Sequence, residues 1–207
     1  MTSRPAARAP RPPDAPRLED AADEPFAAGA LGPGATVEGA RLVDADLSGA
    51  RLRGLRLTDV AIERGNLANS AAPEVSARRI VVVGARLTGA QWTAGTIGDA
   101  VFRDCRIDLA TFAGTTFDRV TFDGCLLAQA DFRDALLRSV RFERCDLTEA
   151  DLAGVRIDRV ELRGCSLDGV SGIERLRGAA MPWADVVGHA GVLAAALGIR
   201  VLDEDDA

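Results

Sequence analysis

Four cysteines, one histidine and several carboxylate pairs are the side chains in this 207-residue sequence whose types and spacing could support chemistry. Cys105, Cys125, Cys145 and Cys165 lie twenty residues apart, a regularity that suggests a metal ladder or disulfides. On parallel neighbours about 4.8 Å apart, however, such side chains point alongside one another, whereas zinc needs converging ligands and a disulfide needs facing Cβ vectors. Small, buried, reduced hydrophobic residues are what that geometry favours. His189 is the only histidine, so no histidine-based catalytic pair or metal cluster can be assembled, and a solvated or interface role is expected for it. Carboxylates such as Asp131 and Asp151, carried on a convex body, lack the water-excluding pocket that shifts a pKa. No glycine-rich phosphate loop, nucleophile elbow or Cys/His motif is present. The sequence therefore predicts no enzyme, no cofactor and no metal site.

The elements that carry these residues follow from a period of five. From Ala35 to Gly169 the chain divides without insertion or deletion into 27 blocks such as ARLVD, ADLSG, ATFAG and ADFRD. Within a block the first and third residues point the same way along an extended stretch. With 27% charged residues, chance would put about 15 charges into those 54 slots, yet none is there. The third slot is Leu, Ile, Val, Phe or Trp in every block except those of Ala72 and Ala77. These slots are an interior. Five fits neither a helix nor an unbroken strand, so the chain must turn once per block. The fifth slot, rich in Gly, Asp, Arg, Asn and Ser, supplies the turn chemistry.

A second period of twenty sets the number of sides. The cysteines are all first-slot residues; Phe102, Phe122 and Phe142 align at the same spacing, as do Phe112 and Phe132, and Leu47 through Leu167 form an aliphatic column. Twenty residues per coil means four sides. The blocks ADLSG, ADFRD and ADLAG, with CRIDL and VRFER as variants, resemble the A(D/N)LXX motif of pentapeptide-repeat proteins. That resemblance, over residues 35–169, implies an all-β solenoid: a right-handed quadrilateral β-helix, here of about seven coils and about 32 Å of stacked structure.

The flanks differ in character. Residues 1–34 hold seven of the nine prolines and show no apolar periodicity, so a disordered tail is expected there. Within 170–207, a helix over about 182–197 is predicted, with Pro182 near its first position and Gly198 as terminator. Trp183, Val186, Val187, Ala190, Leu193 and Leu197 recur at three and four, an apolar face suited to capping the last coil and pairing a homodimer; an acidic tail follows. Residues 70–79 place Ala at two core slots and Pro73 in the wall, so a thin, locally distorted coil is expected, with a bulged loop that contacts the partner as the alternative.

A net charge of −6 argues against nucleic acid or anionic lipid as partner, since either requires a basic face. No apolar stretch is long enough to cross a bilayer and no signal-peptide block opens the chain, so a cytoplasmic protein is expected. All 25 basic residues are arginine, which fits codon usage better than chemistry. Numbering the sides so that the cysteines lie on the third, the third and fourth sides of residues 105–169 carry Asp108, Asp131, Asp134, Asp146, Glu149, Asp151 and Asp168 against Arg106 and Arg133 alone. This acidic edge is the candidate partner-binding surface. Quinolone-resistance members of the family are understood to resemble duplex DNA and to occupy the DNA-binding saddle of DNA gyrase or topoisomerase IV, and in gyrase-protecting members a C-terminal helix forms the dimer interface. The resemblance thus implies a DNA mimic, while a scaffold for an unrelated protein partner fits the same rod.

Overall fold

A computed structural model describes residues 9–17 and 31–201. Seven eight-residue strands follow at twenty-residue intervals: β1 Thr36–Val43, β2 Arg56–Glu63, β3 Ser76–Val83, β4 Thr96–Arg103, β5 Thr116–Asp123, β6 Leu136–Glu143 and β7 Arg156–Arg163. They pair in parallel in sequence order, each residue opposite the one twenty further on, so six twenty-residue turns separate β1 from β7. Each strand spans two sides of the coil: pairing passes from Glu38↔Thr58 to Ala40↔Val60, leaving out the corner residue. The third and fourth sides are held by single bridges, such as Asp46↔Asn66 and Arg51↔Ala71. The fold is an all-β solenoid.

The five-residue logic explains this shape. All seventeen non-glycine residues with left-handed φ among those described fall in fifth slots, Asp59 (55°) and Arg79 (51°) among them. The corner, rather than glycine itself, imposes that conformation. First- and third-slot residues from 35 to 169 are buried apart from Ala35, Ala40 and Ala50 in the first coil, Gly95 and Ile157. Gly95 has a packing reason: a Cβ there would stand 2.5 Å from the Val75 carbonyl O. Phe102, Phe122 and Phe142 stack at 5.0 and 5.1 Å between centroids, and Phe112 lies 5.3 Å from Phe132. Residues 70–79 keep full register rather than distorting, with Ala77 opposite Leu57 and Ile97. The large Trp92, fully buried one coil beyond Ala72, fills the space that the small side chain leaves and donates its indole N–H to Ser70 Oγ at 3.2 Å.

Past β7 the last coil is covered by a 3-10 helix (Ile173–Leu176) and two short helices, α1 (Trp183–Gly188) and α2 (Ala190–Ala196). The single helix predicted over 182–197 is thus broken at His189, and Pro182 is the N-cap directly before the first helical residue. The break places two polar groups on the open sheet edge. Within the rod, Gly84 N–H donates to the Arg103 carbonyl and Ala45 O accepts from Asn66 N; at the last coil these roles fall to side chains. Gly164 N–H donates to Asp185 Oδ2 at 2.6 Å, and His189 Nε2 lies 2.8 Å from the Cys165 carbonyl O, which can only accept. Gly198, with φ of 74°, follows Leu197, the C-cap of α2.

Residues 9–17, expected to lack fixed structure, lie along the rod: Asp14 N–H donates to Asp99 Oδ1 at 3.2 Å and Arg17 N–H to Asp59 Oδ1 at 3.0 Å. Proline accounts for the difference, because its locked φ and the restricted residues before it leave little entropy to lose on ordering. The rest of the predicted tail, residues 1–8 and 18–30, and the acidic stretch 202–207 lie outside the described residues.

Candidate functional site

The solenoid brings the acidic residues to two adjoining sides. Asp131 and Asp151 are bridge partners on consecutive coils of the fourth side, and Asp146 bridges Leu126 and Ser166 on the third. Asp134, Glu149 and Asp168 are exposed; Asp108, Asp131, Asp146 and Asp151 are half-buried. The second-slot carboxylates also have local work. Asp131, Asp146 and Asp151 each accept the backbone N–H two residues on, from Arg133, Thr148 and Ala153, at 2.9, 3.0 and 2.9 Å. Each is a side-chain turn cap, which is why Asp or Asn suits this slot.

Partners reduce the free charge further. Arg133 Nη2 reaches Asp131 Oδ2 at 2.8 Å and its Nε approaches Asp151 Oδ2 at 3.6 Å. Hydrogen bonding from Arg133 holds the Asp131 carboxyl below the usual carboxylate range. Asp108 accepts from Thr88 Oγ1 at 3.0 Å and Glu149 from Gln129 Nε2 at 2.6 Å. What this arrangement can do chemically is present carboxylates on a rigid, shallowly convex surface to a cationic partner.

The structure places the other predicted residues as follows. Cys105, Cys125, Cys145 and Cys165 are buried free thiols, and each lies near a main-chain carbonyl of the preceding coil: Val82, Phe102, Phe122 and Phe142 in turn, at 3.4 to 3.5 Å. Hydrogen bonding to Cys125 and burial raise the Cys105 and Cys145 thiols above their ordinary range. Among the described residues no three His, Cys, Asp or Glu side chains are grouped to hold a metal, and no helix is long and apolar enough to cross a membrane. The predicted C-terminal face divides in two. Leu193 packs on the core, and with Val186 it lines a cleft of about 980 Å³ against Ile157, Ile173 and Leu176. Trp183, Val187 and Leu197 face outward, 79%, 56% and 69% exposed, and Ala190 is also exposed.

One constellation goes unread in the sequence pattern. At the corner between the first and second sides, fifth-slot residues alternate as Asp59, Arg79, Asp99, Arg119, Ser139, Arg159. Arg79 grips Asp59 through two bonds of 2.6 Å, and Arg119 grips Asp99 at 2.6 and 2.7 Å. Arg159 Nε donates to Ser139 Oγ at 3.0 Å. Side-chain hydrogen bonding from Arg79 lowers Asp59 to about 2, and that from Arg119 lowers Asp99. Opposite charges recurring at a spacing of twenty were the available signal.

Comparison with known proteins agrees with this architecture. A family model described as a pentapeptide repeat region matches residues 96–171, and one described as pentapeptide repeats (8 copies) matches residues 34–69, together more than half of the chain. No curated protein matches the sequence. Among solved structures, a trypsin-treated variant of QnrB1, a plasmid-mediated fluoroquinolone resistance protein, is similar at 18% identity over 83% of this chain and 93% of that one, with a TM-score of 0.40. HetL, a pentapeptide repeat protein involved in heterocyst differentiation regulation in the cyanobacterium Nostoc sp. strain PCC 7120, is similar at 17% identity over 75% and 94%, with a TM-score of 0.34. A pentapeptide repeat protein of the Arabidopsis thaliana thylakoid lumen is similar at 17% identity over 67% and 77%, with a TM-score of 0.36. On its block pattern, its in-register coils and the two family matches, this chain belongs to the pentapeptide-repeat family.

Proposed function

We propose that the protein is a non-enzymatic rod that binds another protein through its acidic edge, with the DNA-binding saddle of DNA gyrase or topoisomerase IV as the partner of that chemistry. The observation that carries this reading is the stacking of Asp131 on Asp151 beside Asp134, Asp146 and Glu149, a line of carboxylates at the spacing of the coils. A rod of about 32 Å matches roughly one turn of duplex DNA, about 34–36 Å. The outward Trp183, Val187 and Leu197 support pairing of two copies through α1 and α2, which would double the acidic length.

Charge density favours a second reading. B-DNA carries about 19 charges over 32 Å, whereas this edge holds seven acids of which Asp131 is paired with Arg133. A scaffold for a cationic protein other than a topoisomerase needs less. Supercoiling assays separate the two. On the first reading the purified protein inhibits gyrase supercoiling or shields gyrase from a quinolone, and replacing Asp131, Asp134 and Asp151 by Asn with Glu149 by Gln weakens that effect at least about tenfold while increasing salt weakens it in the parent. A parent protein without effect on gyrase removes the topoisomerase reading; an effect that the fourfold variant retains removes the acidic edge.

A further inference from the structure

The arginine-aspartate corner is the one corner of the rod that is covered. Fifth-slot residues at the other three corners are exposed or half-buried throughout the described coils, whereas Asp59, Asp99 and Ser139 are buried, Asp99 to 1%. Residues 9–17, APRPPDAPR, run past this corner in the direction opposite to the rising coils. Their burial has a period of three: Pro10, Pro13 and Pro16 are half-buried and the residues between them exposed. Four prolines in nine residues, with the residue before each biased to extended backbone, specify a polyproline II helix of three residues per turn.

Two repeats then match. Three residues of polyproline II advance about 9.3 Å, and two coils of the rod advance about 9.6 Å. The contacts obey that match. Going three residues along the segment, from Asp14 to Arg17, moves the accepting carboxylate by two coils, from Asp99 to Asp59. Both contacts have the same form, since in each the Oδ1 that accepts the segment's N–H also accepts the Nε of an arginine one coil on, Arg119 or Arg79. The same step carries Arg11 to the level of Ser139. Beside the corner, the outward residues Ala61, Val81 and Val101 form an apolar strip, itself buried or half-buried.

We propose that this corner is a binding site for polyproline II peptides, and that residues 9–17 are its resident ligand. The ligand class is a peptide with proline at every third position, each followed by a residue with a free N–H: the prolines meet the apolar strip, and the N–H groups meet the carboxylates of alternate coils. Recognition differs from the aromatic grooves that usually receive such peptides, because the fifth-slot residues of this corner, Asp59 to Arg159, include no aromatic side chain and accept main-chain donors instead. The site lies away from the acidic edge, which occupies the third and fourth sides, so the two can be tested separately.

Hydrogen exchange on the unmodified chain is the first test: the Asp14 and Arg17 amides exchange at least about tenfold more slowly than that of Ala15, and equal rates would overturn the assignment. Titration is the second, using full-length protein with Pro10, Pro13 and Pro16 replaced by Gly and a labelled, acetylated APRPPDAPR peptide followed by fluorescence anisotropy. The peptide binds this variant saturably and binds the parent at least about tenfold more weakly, because a tethered ligand competes at millimolar effective concentration. A peptide with proline at the positions of Asp14 and Arg17 keeps its conformation, loses both donors and binds at least about tenfold more weakly than the first. Absence of saturable binding to the variant, or equal binding of the two peptides, would refute the site.

Discussion

Replacing Phe122 by alanine is expected to cost about 3–5 kcal/mol of unfolding free energy, the upper range for a buried aromatic. Phe122 is fully buried at the crossing of the phenylalanine columns, stacked between Phe102 and Phe142 and edge-on to Phe117 and Phe132. Coils held in register above and below cannot collapse into the void, so the transfer and cavity terms add. Thermal unfolding followed by circular dichroism checks this, with a fall in Tm of roughly 6–20 °C for a chain of this size. Leu126→Ala is the control: that side chain is 42% exposed and should cost less than about 0.5 kcal/mol. A Phe122→Ala loss below about 1 kcal/mol would show that the column is not the continuous core described above.

The second large effect concerns the corner. Asp99→Ala should cost about 3 kcal/mol, the low end for breaking a buried ion pair by removing one partner, because Arg119, 28% exposed in the intact corner, loses its bidentate acceptor and keeps Asp118 alone of the two carboxylates it hydrogen-bonds, and Asp14 N–H loses its oxygen. The same groups set an acid limit. Asp59 and Asp99 have folded pKa values depressed by Arg79 and Arg119, Asp59 to about 2. A depressed carboxylate contributes stability that is complete above its unfolded pKa of about 3.9 and disappears as pH falls through the folded value. Denaturant midpoints should therefore be flat from neutral pH to about 4.5 and fall between about pH 4 and 2, less steeply in Asp99→Ala. A midpoint that rises on acidification, or an unchanged slope in the variant, would contradict the ladder.

How much was legible depended on whether a residue's role recurs at the period of the fold. The exclusion of charge from first and third slots and the cysteine and phenylalanine columns expose the interior directly, since an unpaired buried charge is too costly to be tolerated by accident. The intact register at 70–79 was hidden because Ala72 and Ala77 look like losses until Trp92 is placed a coil away. The break at His189 was hidden because apolar spacing runs through it; what decides there is two unpaired groups on the sheet edge, Gly164 N–H and Cys165 O, which Asp185 and His189 reach only from two short helices. Composition hid the contacts of residues 9–17. A proline-rich, weakly apolar segment reads as disordered, yet Pro10, Pro13 and Pro16 follow the period of three that polyproline II requires. The acidic edge was legible as a count of charges and not as available charge, because Arg133 and the turn-capping bonds at Asp131, Asp146 and Asp151 engage part of it.

All of this depends on one partition of the chain, in which alternate positions of each block are sealed inside a four-sided shaft and only the remaining surface can act on a partner. Cys105, Cys125, Cys145 and Cys165, none more than 7% exposed, report on that partition without any substitution. Native protein mixed with a thiol-reactive aromatic disulfide should release less than about one equivalent of thiolate over the time in which denatured protein releases all four. Rapid native release of several equivalents would mean that the first slots face water and that the shaft, with every surface assigned on it, is wrong.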